Sequence, residues 1–310
     1  MTIQDDMSDT THIALALHDR HGTYWPYVAV TVTSVCQHTS VPVVVHLLHD
    51  ETLSDEARQV LGQIVSHYGH RLELHAVPTI ESLSALDFRH FSVATAYRLI
   101  LPRLLPHLPW LVYLDADIVF HGFDLARFGQ WLQAQTHDHP LAAVHDDLFA
   151  SFAGGRTDLH TLNLAAADYV NAGVLVMRPA LIAQDLLAEL PAFAARHPKV
   201  THLDQGLLND VFRGRIQRLP PQFNRQVNLM YGRCFESLDK LEGHVLHYSG
   251  KVKPLSGKFS PADLSFWRYT QHIPEISRFV DQPMSYLQRI HTGHSHARII
   301  PSVAHPKPNP

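Results

Sequence analysis

The stretch LVYLDADIVF, residues 111–120, places two carboxylates, Asp115 and Asp117, in an apolar run that is typical of a buried strand. Stripping water from a carboxylate that has no partner is costly. On a regular strand, residues i and i+2 point to the same face, so the two acids would repel each other unless a cation lay between them. A hard divalent ion, Mg²⁺ or Mn²⁺, would relieve that repulsion. A strand-end turn with solvated acids is the alternative, and the D-x-D pattern alone leaves both open.

The sequence around this stretch predicts an α/β fold. Apolar or β-branched runs at residues 12–17, 41–48, 72–77 and 110–114 predict strands, and segments with helical periodicity separate them. This alternation indicates βαβ units and a mainly parallel mixed sheet flanked by helices. Ligands of such sheets bind beyond the carboxyl ends of the strands, which is where the two acids are expected.

Length and composition indicate a globular protein with a large core. The chain has 310 residues, of which 45% are hydrophobic and 17% charged. We expect a catalytic domain over residues 1–260, a helical appendage over 261–300 and a disordered, proline-rich tail over 301–310. The formal net charge of -4 provides no basic field, so we expect no nucleic-acid partner.

The sequence also predicts a cytoplasmic location. The N-terminal residues lack the pattern of a signal peptide, and no apolar segment approaches the roughly 20 residues that cross a bilayer. The two cysteines, Cys36 and Cys234, do not form a disulfide framework. Histidine is unusually frequent, with 25 residues, but most are scattered singly, and a metal role requires partners.

Three further stretches carry polar residues that are unusual in apolar surroundings. In VLHYSGKVKPL, residues 245–255, His247 follows a strand and could complete a three-ligand metal site, with Gly250 and Lys253 near a diphosphate; a packed strand histidine is the alternative. In DYVNAGVLVMR, residues 168–178, Asn171 requires a hydrogen-bonding partner, either a sugar hydroxyl or a neighbouring loop. In THLDQGLLND, residues 201–210, Asp204 and Gln205 begin a helix, where Asp204 could simply be the N-cap.

In this order, the motifs YLDADIVF, NAGVLV, LDQGLLN and HYSGKVKP resemble the family-eight retaining glycosyltransferases, which include bacterial lipopolysaccharide galactosyl- and glucosyltransferases and glycogenin. The resemblance covers about residues 13–255. It implies a single Rossmann-like, nucleotide-sugar-binding domain of the glycosyltransferase A type. It further implies transfer of glucose or galactose from UDP-glucose or UDP-galactose to a glycan or lipid-linked glycan, with Mn²⁺ or Mg²⁺ as the metal.

The resemblance also implies roles for individual residues. The expected metal ligands are Asp115, Asp117 and His247, and the expected donor-binding residues are Arg98, Asp115, Ala116, Asp117, Asn171, His247, Gly250 and Lys253. Gln205 would lie near the anomeric carbon, where Asp204 is the competing carboxylate. Because an amide is a poor nucleophile, we favour same-face attack within an ion pair over a covalent intermediate.

The chain departs from the family pattern at three places. In HDRHGTYWPYVAV, Tyr24 takes the position of the ring that stacks on uracil and Asp19 that of an acid, if three residues are inserted. In VHDDLF, either Asp146 or Asp147 could bind donor sugar hydroxyls, and the following Leu-Phe favours Asp147. Gly206 replaces an acid that the family often has.

Two other classes of function use the same residues. A divalent-metal phosphohydrolase or nucleotidyltransferase would release phosphate or pyrophosphate rather than UDP, and a non-catalytic protein would bind the nucleotide sugar without turnover. Aromatic and basic residues in the C-terminal region predict contact with the inner face of a membrane; they are Trp267, Tyr269, Tyr286 and Arg289.

Overall fold

A computed structural model describes residues 10–78, 83, 86, 88, 92–227, 236–250, 252–256 and 260–279. Cys234, Lys251, Tyr286, Arg289 and the predicted tail over 301–310 lie outside the described residues. The strands are β1 (Thr11–Leu17), β2 (Val43–His49), β3 (Arg71–Ala76), β4 (Leu111–Leu114), β5 (Ile118–His121), β6 (Leu141–His145), β7 (Val170–Met177), β8 (Ile216–Arg218), β9 (Arg225–Gln226) and β10 (His244–His247).

The α-helices lie between and after these strands. They are α1 (Trp25–Gln37), α2 (Asp55–His67), α3 (Ala94–Tyr97), α4 (Leu101–Leu104), α5 (Ala126–Gln133), α6 (Ala153–Leu162), α7 (Leu186–Arg196), α8 (Leu203–Val211), α9 (Leu238–Leu241) and α10 (Asp263–Thr270). Short 3₁₀ segments include Arg98–Ile100 between α3 and α4, and Pro274–Phe279 after α10. Within the described residues, no helix is long and apolar enough to span a bilayer.

A seven-stranded sheet forms the centre of the molecule, in the order β3-β2-β1-β4-β7-β6-β8. Strands β1 to β4 are parallel, β7 is antiparallel to both β4 and β6, and β6 is parallel to β8. The carboxyl ends of β1, β4 and β6 therefore meet the amino end of β7 at one edge. The predicted mixed, mainly parallel sheet is confirmed.

Each face of this sheet packs against its own hydrophobic cluster. Alternate residues of β2 divide between the faces: Val45 and Leu47 join the cluster that includes α1 and α2, whereas Leu48 joins the cluster that includes α7 and α8. The β-branched sequence VVVHLLH suits a strand that is covered on both faces, and all seven of its residues are buried.

A second, three-stranded sheet lies beside the first, in the order β5-β10-β9. Strand β10 pairs antiparallel with β5, so that His247 lies opposite Ile118. The chain therefore leaves the large sheet at the end of β4 and enters the small sheet at β5, with only residues 115–117 between them. The sequence interpretation ended a strand at Leu114 and left a strand-end turn open as an alternative, but it did not predict this change of sheet.

The described part of the expected C-terminal appendage belongs to the core. Phe266, Trp267 and Tyr269 of α10 are buried in the cluster that contains α1, and the Tyr269 hydroxyl donates a hydrogen bond to the carbonyl of Phe120 at 2.7 Å. Trp267 and Tyr269 are at most 2% exposed, so they cannot contact a membrane as their sequence position suggested. The sequence of residues 91–105 predicts a single helix, but the described part of this segment forms α3, a 3₁₀ turn and α4.

Candidate active site

A cavity of about 910 Å³ opens where the strand ends meet. Its lining includes the predicted residues Tyr24, Arg98, Asp115, Ala116, Asp117, Asn171, Asp204, Gln205, His247, Gly250 and Lys253. Asp19 and Asp147 are not part of the lining. A cavity of this size accommodates a ligand as large as a nucleotide sugar. The fold thus brings together side chains that are separated by more than 200 residues in the sequence.

The D-x-D segment is a turn rather than a continuous strand. Asp115 follows β4 directly, and Ala116 and Asp117 form the turn that leads into β5. The expectation that strand alternation aligns the two acids is therefore wrong. Backbone contacts fix the turn instead: the Asp115 N–H donates to the carbonyl of Gly173 at 2.8 Å, and the Thr31 hydroxyl donates to the carbonyl of Ala116 at 2.7 Å.

His247 brings a ring nitrogen to both acids. Its Nε2 lies 3.7 Å from Asp115 Oδ2 and 3.6 Å from Asp117 Oδ1. Its Nδ1 lies 3.1 Å from Asn224 Oδ1, which can only accept, so Nδ1 carries the proton and Nε2 has a free lone pair. A histidine that binds a metal is commonly oriented in this way by a hydrogen bond at its other nitrogen.

The three side chains fit a divalent cation. Their ligand atoms all lie within 4.8 Å of one another, and the two measured separations are shorter than two metal–ligand bonds of about 2.0–2.2 Å placed end to end. Gly173 of β7 keeps the space open. A β-carbon at Gly173 would lie 2.3 Å from Cε1 of His247 and 2.9 Å from Oδ2 of Asp115.

Lys253 completes the charge pattern around Asp117. Its ammonium group contacts Asp117 Oδ2 and donates to the carbonyl of Tyr248 at 3.0 Å. Burial alone would raise the pKa of Asp117, but Lys253 and His247 outweigh it and hold this pKa below its usual value. Gly250, two residues beyond Tyr248, has a φ of 90°, a conformation that favours glycine.

Arg98 connects Asp115 to the residues of helix α8. Its guanidinium group lies 2.9 Å from Asp115 Oδ1 and 3.1 Å from Asp204 Oδ2, and it is 3% exposed. Asp204 is the second residue of α8, whose N-cap is His202, so the N-cap interpretation of Asp204 is wrong. Burial raises the pKa of Asp204, against the opposing effect of Arg98.

Gln205 lies in a network of amides and one carboxylate. Its Oε1 accepts a hydrogen bond from the backbone N–H of Ala172 at 2.9 Å, and Asn171 donates to Asp146 Oδ2 at 3.0 Å. Gln226 donates to the other oxygen of Asp146 at 3.0 Å. These hydrogen bonds hold the amide and carboxylate groups in fixed positions, which a sugar-binding pocket requires of its polar groups.

Two predicted residues lie outside the cavity. Asp147 is exposed, and its neighbour Asp146 lines the cavity at 5% exposure. The choice of Asp147 relied on the following Leu-Phe, whereas the turn after β6 directs Asp146 inward. Asp19 is buried, and its carboxylate accepts hydrogen bonds from three backbone N–H groups at the start of α1, including that of Tyr24 at 2.9 Å. Asp19 therefore positions Tyr24 and does not line the cavity itself.

Sequence reasoning missed Asn224 and Gln226. Both lie on or beside β9, a strand of two residues whose position depends on its parallel pairing with β10. Asn224 orients His247, and it also donates to Asn171 Oδ1 at 2.9 Å. The only sequence signal was the spacing of two amides by one residue in FNRQV, residues 223–227, which is too common to be specific.

Comparison with known proteins identifies the family and the fold of the chain. The family described as "Glycosyl transferase family 8" matches residues 12–256. The lipopolysaccharide glucosyltransferase WaaO of Escherichia coli (strain K12) is 20% identical over 234 residues, which cover 73% of this chain and 67% of WaaO.

Two solved structures show the same fold. The galactosyltransferase LgtC, in complex with donor and acceptor sugar analogs, is 21% identical with a TM-score of 0.68, over 90% of this chain and 100% of LgtC. The bifunctional glycosyltransferase WbbM is 20% identical with a TM-score of 0.63, over 92% of this chain. The chain spans about half the length of WbbM, 52%. The predicted glycosyltransferase A type of fold is confirmed.

Proposed function

Because the chain belongs to glycosyl transferase family 8, we propose that it is a retaining hexosyltransferase, which moves glucose or galactose from a UDP-sugar to a glycan or lipopolysaccharide-type acceptor. The observation that carries this proposal is the convergence of Asp115, Asp117 and His247 beside Lys253 in one cavity. A phosphohydrolase needs the metal ligands but not the buried amide network beside them.

The diphosphate of the donor lies at the cation side of the cavity. Asp115, Asp117 and His247 would hold the metal, Mn²⁺ or Mg²⁺, and a bound ion would supply charge stabilisation for the departing diphosphate. Lys253 adds a positive charge at the same place, and Gly250 allows the backbone to approach the phosphate oxygens. The two oxygen ligands and one nitrogen suit these ions.

The nucleoside and the sugar occupy the two sides of this cation site. Tyr24 and Ala116 lie at the nucleoside end, where the Tyr24 ring offers a stacking surface for uracil. Asn171 and Asp146 hold the sugar hydroxyls, and Asp146 takes the role that the sequence interpretation gave to Asp147. Arg98 keeps Asp115 in place and lies near the donor.

Catalysis takes place beside α8. Asp204 is paired with Arg98, whose positive charge makes this carboxylate a weaker nucleophile. Gln205 Oε1 is already held by Ala172 and presents a dipole without a full charge. We therefore retain the same-face route, in which Gln205 and nearby carbonyl groups stabilise positive charge at the anomeric carbon. The acceptor hydroxyl then attacks from the side on which UDP departs: its oxygen bonds to the anomeric carbon as the bond from that carbon to the diphosphate breaks, and its proton passes to the departing diphosphate.

The proposals for the acceptor and the location rest on likeness to a relative rather than on a particular side chain. WaaO is a lipopolysaccharide glucosyltransferase, and by likeness we propose a lipid-linked glycan acceptor and a location on the cytoplasmic side of the inner membrane. A glycan array that compares truncated lipopolysaccharide cores as acceptors would identify the acceptor class.

Release of UDP from UDP-glucose and UDP-galactose, measured with Mn²⁺ and with a chelator, tests the proposal. We expect Mn²⁺-dependent UDP release from one donor and an increase when the acceptor is added. Release of inorganic phosphate or pyrophosphate would identify the alternative enzyme class. Tight UDP binding without release from either donor would identify a non-catalytic nucleotide-sugar-binding protein.

A further inference from the structure

A second cluster of potential metal ligands lies away from the cavity, on strands β1, β2 and β3. His46 of β2 is buried, and Glu73 and His75 of β3 are half-buried; one ligand atom from each of these three lies within 4.8 Å of the others. His12 of β1 adjoins them, with its Nδ1 2.9 Å from His46 Nε2. None of these residues lines the active-site cavity.

Strand register explains how this cluster forms. His46 is paired with Glu73 across the parallel β2–β3 ladder, and His75 follows Glu73 by two residues, so all three side chains share one face. Strand β3 is the outermost strand of its sheet, which leaves Glu73 and His75 partly accessible to an ion from solvent. The positions of the three side chains are therefore fixed by strand pairing in the sheet and not by a loop.

The distances suit a tetrahedral ion. His46 Nδ1 lies 2.9 Å from His75 Nε2 and 3.2 Å from Glu73 Oε2, and the latter two atoms are 3.9 Å apart. A tetrahedral ion with bonds of about 2.0–2.1 Å keeps its ligands roughly 3.3 Å apart, which lies within this range. Two histidines and one glutamate form a recurrent zinc ligand set that leaves one position for water.

The surroundings hold the ligands in the form that a metal requires. Arg71 lies 2.9 Å from Glu73 Oε1, which turns Oε2 toward the histidines. The contact with His12 leaves Nδ1 of His46 available to an ion if His46 donates from Nε2.

We propose that His46, Glu73 and His75 bind a divalent transition-metal ion of the zinc class, which fastens the edge strand β3 to β2, with His12 as the residue that orients His46. The nitrogen-rich ligand set favours Zn²⁺ over Mn²⁺ and Mg²⁺, the ions that suit the carboxylate-rich site in the cavity. The competing arrangement is a chain of hydrogen-bonded imidazoles that binds no ion. This inference does not depend on the sugar-transfer activity.

Metal titrations of the full-length chain after chelator treatment test this proposal. Co²⁺ serves as a probe, because its visible absorption reports tetrahedral coordination, and Zn²⁺ affinity is measured by competition with a chromophoric chelator. The variant His75→Ala removes a half-buried ligand, and Asp117→Ala removes the other site. His160→Ala, at an exposed histidine of α6, is the matched control.

We expect Asp117→Ala and His160→Ala to keep the tetrahedral Co²⁺ spectrum and tight Zn²⁺ binding. His75→Ala should lose the spectrum and bind Zn²⁺ at least about 100-fold more weakly. Circular dichroism checks the fold, and if His75→Ala does not fold, Glu73→Gln decides, with an expected loss of about 10- to 100-fold. Equal Zn²⁺ affinity in Glu73→Gln and His160→Ala, or loss of the signal only in Asp117→Ala, would overturn the proposal.

Discussion

Two clusters of histidine and carboxylate share this chain and differ in their ligands and in what surrounds them. Asp115, Asp117 and His247 offer two oxygens and one nitrogen beside Lys253 at the edge of a large cavity. His46, Glu73 and His75 offer two nitrogens and one oxygen on the face of a sheet. A site that must bind a diphosphate needs open space and a cation nearby, whereas an ion that only joins two strands needs neither. The surroundings therefore indicate function more clearly than the ligand types do.

The largest expected effect separates the two clusters completely. Replacing Asp117 by alanine removes an oxygen ligand and leaves Lys253 without its carboxylate partner. We expect Mn²⁺-dependent UDP release to fall by about 1,000-fold or more, because charge stabilisation of the departing diphosphate is lost. Steady-state UDP release and calorimetry of UDP with Mn²⁺ measure the effect. Asp168→Ala, at an exposed carboxylate, is the control, and unchanged Mn²⁺-dependent UDP affinity in Asp117→Ala would refute the ligand assignment.

A smaller effect is expected at Gln205, which lies in the same cavity but not in the cation site. The variant Gln205→Ala should lower kcat by about 100-fold and leave UDP affinity close to that of the wild type, because the amide acts at the anomeric carbon. Single-turnover kinetics and UDP titration separate the two quantities. A comparable loss of UDP affinity would show instead that Gln205 supports the pocket through its contact with Ala172.

A matched pair of substitutions tests whether each histidine ligand is oriented by its neighbour. Asn224→Ala should weaken Mn²⁺ binding by about 10- to 100-fold and leave Zn²⁺ binding intact. His12→Phe should do the reverse, since His12 contacts only the His46 cluster among the candidate ligands. Mn²⁺ binding followed by electron paramagnetic resonance, with Zn²⁺ competition in parallel, gives both affinities. If either variant weakened the binding of both metals equally, the two clusters would not be independent.

The sequence alone supports much of the first cluster and little of the second. Asp115, Asp117, His247 and Lys253 belong to motifs that can be read in order along the chain. The turn at Ala116, the orienting contact from Asn224 and the inward direction of Asp146 depend on pairings between distant strands, which a single sequence does not specify. Glu73 and His75 show a same-face spacing, but their partner His46 is found only through the register of β2 and β3.

The last prediction concerns the stability of the fold and a buried carboxylate that belongs to neither cluster. Burial raises the pKa of Asp263 in α10 to about 6, despite a hydrogen bond from the Ser260 N–H. The folded state then holds a proton that the unfolded state releases, so this residue lowers the free energy of unfolding as the pH rises from about 4 to 6. In Asp263→Asn this fall should be absent, a difference of roughly 2–3 kcal/mol at pH 7.

Urea unfolding of wild type and Asp263→Asn at several pH values measures this difference. The substitution Asp263→Asn should leave UDP release unchanged from the wild type at each pH, because Asp263 lies outside the cavity. A wild type and variant with parallel pH profiles would contradict the raised pKa. A change in Mn²⁺ affinity would indicate that the α10 region and the cation site are coupled.

The D-x-D turn joins two sheets, and this connection affects how the cation site binds a donor. Asp115 is fixed by the large sheet, whereas Asp117 is tied to the small one, where the Tyr248 N–H donates to its carbonyl at 3.0 Å. The spacing of the three ligands is thus set by pairing of β5 with β10 when the chain folds. Such a site is preorganised: the conformational entropy of arranging it is lost during folding, so a donor that arrived with a cation would find the geometry already made.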